Sequence, residues 1–134
     1  SKDNPYRDYY IWKEPKADGS PPNDWQSKFG GPAWELDEVT GDYYLHLYDV
    51  TQADLNWEKD EVRRQVYDIM HFWFEKGIDG FRLDVINNIS KDQRFLDDAG
   101  QSVQGDGRMY YTDGPRIHEF LHEMNQEVFS KYDS

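Results

Sequence analysis

The segment Gly80–Ile86 most constrains what this chain can fold into. Its apolar side chains alternate with the charged side chains of Arg82 and Asp84. Successive side chains of a strand point to opposite faces, so the pattern predicts a buried strand with Arg82 and Asp84 on one face. A carboxylate among apolar neighbours is costly unless it is paired, and Arg82 would favour its ionised form. The two residues are therefore either a structural ion pair or a carboxylate held ready for chemistry.

Helical periodicity on both sides of this strand predicts a parallel α/β fold. Before it, apolar spacing predicts a helix over about 58–76, with Asn56 as N-cap and Gly77 as the C-terminal stop. A second helix is expected after Pro115. Its apolar face would consist of Ile117, Phe120, Leu121, Met124 and Val128. In parallel α/β folds the chemistry lies at the C-terminal ends of strands, where Asp84 is expected.

The chain divides into two parts of different character. Residues 1–51 are rich in Pro and Gly, with short strand patterns at Tyr9–Trp12, Ala33–Leu36 and Tyr43–Tyr48. Residues 37–42 predict a hairpin connection in which Gly41 takes a positive φ. We therefore expect a small antiparallel β unit over 1–51 and an α/β unit over 52–134. The polar stretch 87–113 is long for a simple connection, which suggests a functional role.

The composition excludes several classes of partner. The formal net charge of −12 disfavours nucleic acid and anionic membranes. The chain has no cysteine and no apolar run of membrane-spanning length, so we expect a cytoplasmic protein that does not bind a membrane. The aromatic content is 16%, which suits a pocket that stacks on sugar rings as well as a core. The oligomeric state stays open.

Several motifs resemble a known family. Gly80–Asp84, with the sequence Gly-Phe-Arg-Leu-Asp, resembles the fourth-strand motif of the α-amylase family, glycoside hydrolase family 13. Gln52–Asn56 resembles the motif that closes the small inserted domain in the oligo-1,6-glucosidase branch, with Ala53 in place of the usual Pro. Further segments are most similar to the trehalose-6-phosphate hydrolase group, namely Ile89–Asp92, Gly105–Arg108 and Tyr111–Arg116. Asn88 stands where the resemblance leads us to expect an apolar residue, and it could loosen the packing there.

The resemblance implies that this chain is part of a (β/α)8 TIM barrel. Residues 52–134 would supply the third helix, the fourth strand and the fourth helix, and residues 1–51 most of the small inserted antiparallel β domain. A whole barrel needs about 250 residues, so we expect an internal piece of a longer enzyme. The general-acid Glu and a third carboxylate would lie beyond Ser134.

The resemblance also implies a retaining glycosidase. That chemistry uses two carboxyl groups about 5 Å apart, one as nucleophile and one as acid. By analogy Asp84 is the nucleophile and Arg82 orients it and keeps it ionised. Residues that would contact the substrate are Phe29, Tyr48, Gln52 and, on the aglycone side, Val85. For the aromatic residues, ordinary core packing is the alternative.

The expected substrate is trehalose 6-phosphate, cleaved to glucose and glucose 6-phosphate without a cofactor or a metal. Cations that could bind the phosphate are Lys91, Arg94, Arg108 and Arg116, although a solvated surface role fits each of them. The chain alone is expected to be inactive, since it lacks the acid. An oligo-1,6-glucosidase of the same branch and a non-catalytic carbohydrate-binding piece remain alternatives.

One motif points to a different chemistry. His118–His122 has the sequence His-Glu-Phe-Leu-His, which matches the zinc-binding pattern His-Glu-x-x-His on a predicted helix. Such a site needs a third ligand, and no His or Cys follows His122. A zinc hydrolase is therefore only a distant alternative.

Overall fold

The computed structural model describes residues 1–132, which form a small antiparallel sheet and two long helices. The strands are β1 (Trp12–Lys13), β2 (Trp34–Asp37) and β3 (Asp42–Leu45), and the helices are α1 (Asp60–Glu75), α2 (Arg108–Tyr111) and α3 (Ile117–Glu127). Short 3-10 helices span Arg7–Tyr9, Ile86–Asn88 and Phe129–Lys131. Of the helices in residues 1–132, none combines the length and the apolar character that a membrane crossing requires.

The sheet confirms the predicted hairpin. Its strand order is β1-β3-β2 with antiparallel pairing throughout, and β2 pairs with β3 from Trp34 opposite Leu45 to Asp37 opposite Asp42. Gly41 has φ 77°, a left-handed conformation that glycine adopts without steric cost. The tight turn therefore forms where the sequence predicted it.

Helix α1 forms as predicted except at its start. Its N-cap is Lys59, so the prediction of Asn56 as N-cap was wrong. The Asn56 carboxamide oxygen accepts the Glu58 N–H at 3.3 Å and so shapes the turn before the helix. At the other end Gly77, with φ 99°, terminates the helix as expected.

Helices α1 and α3 share an apolar cluster and a polar contact. The cluster contains Tyr67, Met70, Phe74, Met124 and Val128. Beside it, Glu123 of α3 accepts hydrogen bonds from Arg63 Nε and the Tyr67 hydroxyl, each at 2.8 Å. Leu121 lies outside the cluster with 37% of its surface exposed, so its predicted place on the apolar face was wrong.

The predicted strand over 80–86 is not formed. Residues 78–83 are irregular, a turn follows at 84–85, and a 3-10 helix begins at Ile86. A strand needs hydrogen-bonded neighbours at its edges. Among residues 1–132, none pairs with this segment in a β-ladder.

The long stretch 87–113 packs against the first part of the chain. The Trp25 ring lies 5.4 Å from that of Phe95 and 5.7 Å from that of Tyr111. The Asp24 carboxylate accepts the backbone N–H of Asp98 at 2.6 Å and that of Ala99 at 2.8 Å. One hydrophobic cluster thus contains residues from both sides of position 51. The division of the chain at 51/52 stays a prediction.

Candidate active site

Arg82 and Asp84 lie on the wall of a cavity of about 380 Å³. Other residues of that wall include Tyr48, Asp54, Val85 and Asn88. Arg82 Nη2 is 2.9 Å from Asp84 Oδ1, so the expected ion pair forms. The side chains are 89% and 74% exposed, however, so the expected burial was wrong. Because water screens such a pair, it stabilises the fold by only about 0–1 kcal/mol.

The turn that presents Asp84 is conformationally strained. Val85 has φ 49° and ψ 33°, the left-handed region that β-branched residues rarely adopt. This conformation ends the extended run of the chain and leads directly into the 3-10 helix at Ile86. Strain of this kind concentrates at sites where a side chain must be presented in a fixed direction.

The predicted substrate-binding residues are only partly brought together. Tyr48 and Val85 line the cavity with Asp84, whereas Phe29 and Gln52 are not among its lining residues. The Phe29 ring is 69% exposed and meets the Tyr48 ring edge-to-face at 5.7 Å. Gln52 is exposed, and its Oε1 accepts the Asp49 N–H at 3.3 Å. The roles of all four residues in binding stay predictions.

An ion pair on the wall of the cavity was not predicted. Lys91 Nζ lies 3.2 Å from Asp54 Oδ2 and donates to the Asn88 carbonyl oxygen at 2.6 Å. The Asp54 carboxylate also accepts the Leu47 N–H at 3.2 Å. Burial lowers the pKa of Lys91, and the charge of Asp54 opposes that shift. This pair connects the segment after Asp84 to the segment after β3. In the sequence, only the Asp of the Gln-Ala-Asp-Leu-Asn motif pointed to it.

The four cations considered for phosphate binding all have carboxylate partners. Lys91 pairs with Asp54, so its predicted surface role was wrong. The other pairs are Arg94 with Asp92, Arg108 with Asp106, and Arg116 with Glu58 and Glu119. None of these contacts singles out a phosphate site.

The zinc pattern gains no support from the geometry. His118 and His122 are both exposed, and the Glu119 carboxylate is hydrogen-bonded to Arg116. Within residues 1–132, no group of three or more His, Cys, Asp or Glu side chains is arranged to hold a metal ion.

The chain is similar to known proteins over its whole length. The whole chain, residues 1–134, matches the family described as Alpha amylase, catalytic domain. Trehalose-6-phosphate hydrolase from Bacillus subtilis strain 168 is 72% identical over 134 residues, which is 100% of this chain and 23% of that protein. Oligo-1,6-glucosidase from Parageobacillus thermoglucosidasius is 60% identical over 135 residues, covering 99% of this chain and 24% of that protein.

A solved structure matches equally well. The crystal structure of trehalose-6-phosphate hydrolase from Bacillus licheniformis superposes with a TM-score of 0.93 at 70% identity, over 100% of this chain and 23% of that one. The chain thus spans about a quarter of the length of these relatives.

Proposed function

The chain belongs to the α-amylase family, as part of its catalytic domain, and on that premise we propose that it supplies the nucleophile of a retaining α-glucoside hydrolase. The family match confirms the expected fold class, a piece of this catalytic domain that carries a small antiparallel sheet. The activity belongs to the longer enzyme of which this chain would be about a quarter.

The pairing of Arg82 with Asp84 on the cavity wall carries the proposal. The 2.9 Å contact orients the carboxylate, and 74% exposure leaves its oxygens accessible to a sugar. Tyr48 and Val85 lie on the same wall, so a ring bound there would contact an aromatic surface beside the carboxylate.

The reaction proceeds in two displacements. An Asp84 carboxylate oxygen attacks the anomeric carbon, the glycosidic C–O bond breaks, and a glycosyl ester forms. The leaving oxygen takes a proton from the general acid. Water then attacks the same carbon and gives a proton to the deprotonated general acid, and the ester bond breaks to release Asp84 as a carboxylate. Arg82 orients the carboxylate through both steps.

The general acid comes from outside this chain. Apart from Asp84, the carboxylate on the cavity wall within the described residues is Asp54. Its oxygens are already engaged by Lys91 Nζ and the Leu47 N–H, so we assign it a structural role rather than that of the acid. A second carboxyl group about 5 Å from Asp84 must therefore come from another part of the enzyme.

Trehalose 6-phosphate is the substrate we propose. The support is the 72% identity to the hydrolase of that name over the whole chain. A substrate of the isomaltose type is the second candidate, because an oligo-1,6-glucosidase is 60% identical over nearly the same residues.

Kinetics of the full-length enzyme test both levels of the proposal. We expect a higher kcat/KM for trehalose 6-phosphate than for isomaltose. A higher kcat/KM for isomaltose would favour the second candidate substrate. The absence of turnover of either compound would refute the glycosidase assignment. The variant Asp84→Asn should retain binding and lose most turnover, since it removes the nucleophile with little change in volume.

A further inference from the structure

Asn88 connects the cavity to the turn that precedes α3. Its side chain is buried, with 8% exposure. Its Nδ2 donates to the Tyr48 hydroxyl oxygen at 3.2 Å, and its Oδ1 accepts from Thr112 Oγ1 at 3.4 Å. We propose that Asn88 is a positioning residue that aims the Tyr48 hydroxyl proton into the cavity, where it donates to a hydroxyl oxygen of the bound sugar. This inference rests on the proposed glycosidase function.

The direction of the hydrogen bonds follows from the chemistry of the groups. An amide nitrogen can only donate, so the Tyr48 hydroxyl oxygen must accept from it. The phenol then keeps its own proton for a different acceptor. In the structure the amide oxygen faces Thr112 and accepts from its hydroxyl, and the amide nitrogen faces Tyr48.

The backbone of Asn88 is held as firmly as its side chain. Its N–H donates to the Val85 carbonyl oxygen at 2.9 Å, and its carbonyl oxygen accepts from Lys91 Nζ at 2.6 Å. The residue therefore has little freedom to turn away from Tyr48. The order Thr112, Asn88, Tyr48 is a relay of hydrogen bonds that ends at the cavity wall.

Tyr48 remains a donor under all ordinary conditions. Burial raises the pKa of its phenol, and the nearby charges of Asp54 and Asp84 raise it further, against the opposing effect of the Asn88 hydrogen bond. The hydroxyl is accordingly neutral at physiological pH and carries the proton that a sugar oxygen would accept.

The polar residue at this position has a physical rationale. The family resemblance led us to expect an apolar residue at 88, and burying an amide without partners would cost free energy. Both ends of the amide have partners here, so the expected loosening of the packing has no basis in these contacts. An apolar residue would leave the Tyr48 hydroxyl to rotate, and a binding site gains selectivity when its donors are fixed toward the substrate.

A double-mutant cycle in the full-length enzyme tests the inference. The variants are Tyr48→Phe, Asn88→Leu and the two combined, with p-nitrophenyl α-glucoside and trehalose 6-phosphate as substrates. A neutral hydrogen bond predicts a drop in kcat/KM of about three- to tenfold for Tyr48→Phe, and a comparable or smaller drop for Asn88→Leu. The combined variant should be no slower than Tyr48→Phe, because Asn88 acts through the hydroxyl that is already gone.

Two further variants keep the test decisive. Thr112→Val removes the group that orients the amide, and its effect on kcat/KM should also vanish in the Tyr48→Phe background, even if Asn88→Leu does not fold. Tyr43→Phe is the matched control: its hydroxyl donates to the Gly19 carbonyl oxygen at 2.9 Å, outside the cavity, and its loss should leave kcat/KM unchanged.

The outcomes separate this inference from the function on which it rests. An unchanged kcat/KM for Asn88→Leu, or an equal loss in the Tyr and Phe backgrounds, assigns Asn88 a purely structural role and overturns the inference while the enzyme remains a glycosidase. A wild-type enzyme without turnover of any α-glucoside overturns the proposed function instead.

Discussion

The contact between Gly107 and Trp25 gives the sharpest test of how stretch 87–113 is held. Gly107 has φ 88°, and a Cβ there would lie 2.3 Å from Trp25 Cδ1. The indole cannot move away, because it is 1% exposed and its Nε1 donates to the Leu96 carbonyl oxygen at 2.9 Å. The substitution Gly107→Ala therefore combines backbone strain of about 1–2 kcal/mol with an overpacking cost of about 1–3 kcal/mol.

The matched control is Gly105→Ala in the same stretch. Gly105 also has a positive φ, of 63°, but the nearest atom to its Cβ would be Gly100 Cα at 3.7 Å, an ordinary contact. Only the strain applies, so the control should lose about 1–2 kcal/mol and Gly107→Ala about 2–5 kcal/mol of unfolding free energy. Urea unfolding followed by tryptophan fluorescence measures both. Equal losses for the two variants would refute the packing of Gly107 on Trp25.

Two further predictions concern buried titratable groups. Lys91→Met should cost about 3–5 kcal/mol of unfolding free energy, because it leaves the Asp54 carboxylate buried without its cation. Adding Asp54→Asn should recover part of that loss. If urea unfolding shows no recovery in the double variant, the ion-pair argument is contradicted. Burial, with Asp106 nearby, raises the pKa of Tyr111 from its usual 10 to about 12, and its hydroxyl has no hydrogen-bond partner among the described residues. Since the folded pKa is the higher one, the contribution of the Tyr111 hydroxyl to the free energy of unfolding is complete below pH 10. It declines by about 2–3 kcal/mol as the pH rises to 12, relative to Tyr111→Phe. A difference between wild type and Tyr111→Phe that does not change with pH would refute it.

Local patterns predicted the elements that hold themselves together by local interactions. Helix α1 follows from apolar spacing and a terminal glycine, and the β2–β3 hairpin follows from its turn residues. Stretch 87–113 is different, because several of its anchors come from residues more than 70 positions away, such as Asp24 with Asp98. No local pattern encodes such hydrogen bonds between a side chain and a distant backbone.

In the candidate site, too, the sequence predicted local contacts but not contacts between distant segments. The alternation around Arg82 and Asp84 correctly predicted that the two side chains meet, but it did not predict the turn that exposes them, since a strand depends on neighbours outside its own segment. The partnerships of Asn88 with Tyr48 and of Lys91 with Asp54 depend on how distant segments pack. The sequence could only mark Asn88 as unexpected.

Trapping of the glycosyl ester tests the central claim most directly. The full-length enzyme is incubated with 5-fluoro-α-glucosyl fluoride, whose second fluorine slows hydrolysis of the ester, and the labelled peptide is identified by mass spectrometry. The account predicts one glucosyl adduct, on the carboxylate of Asp84, and none in Asp84→Asn. An adduct on another residue, or full turnover by Asp84→Asn, would contradict it.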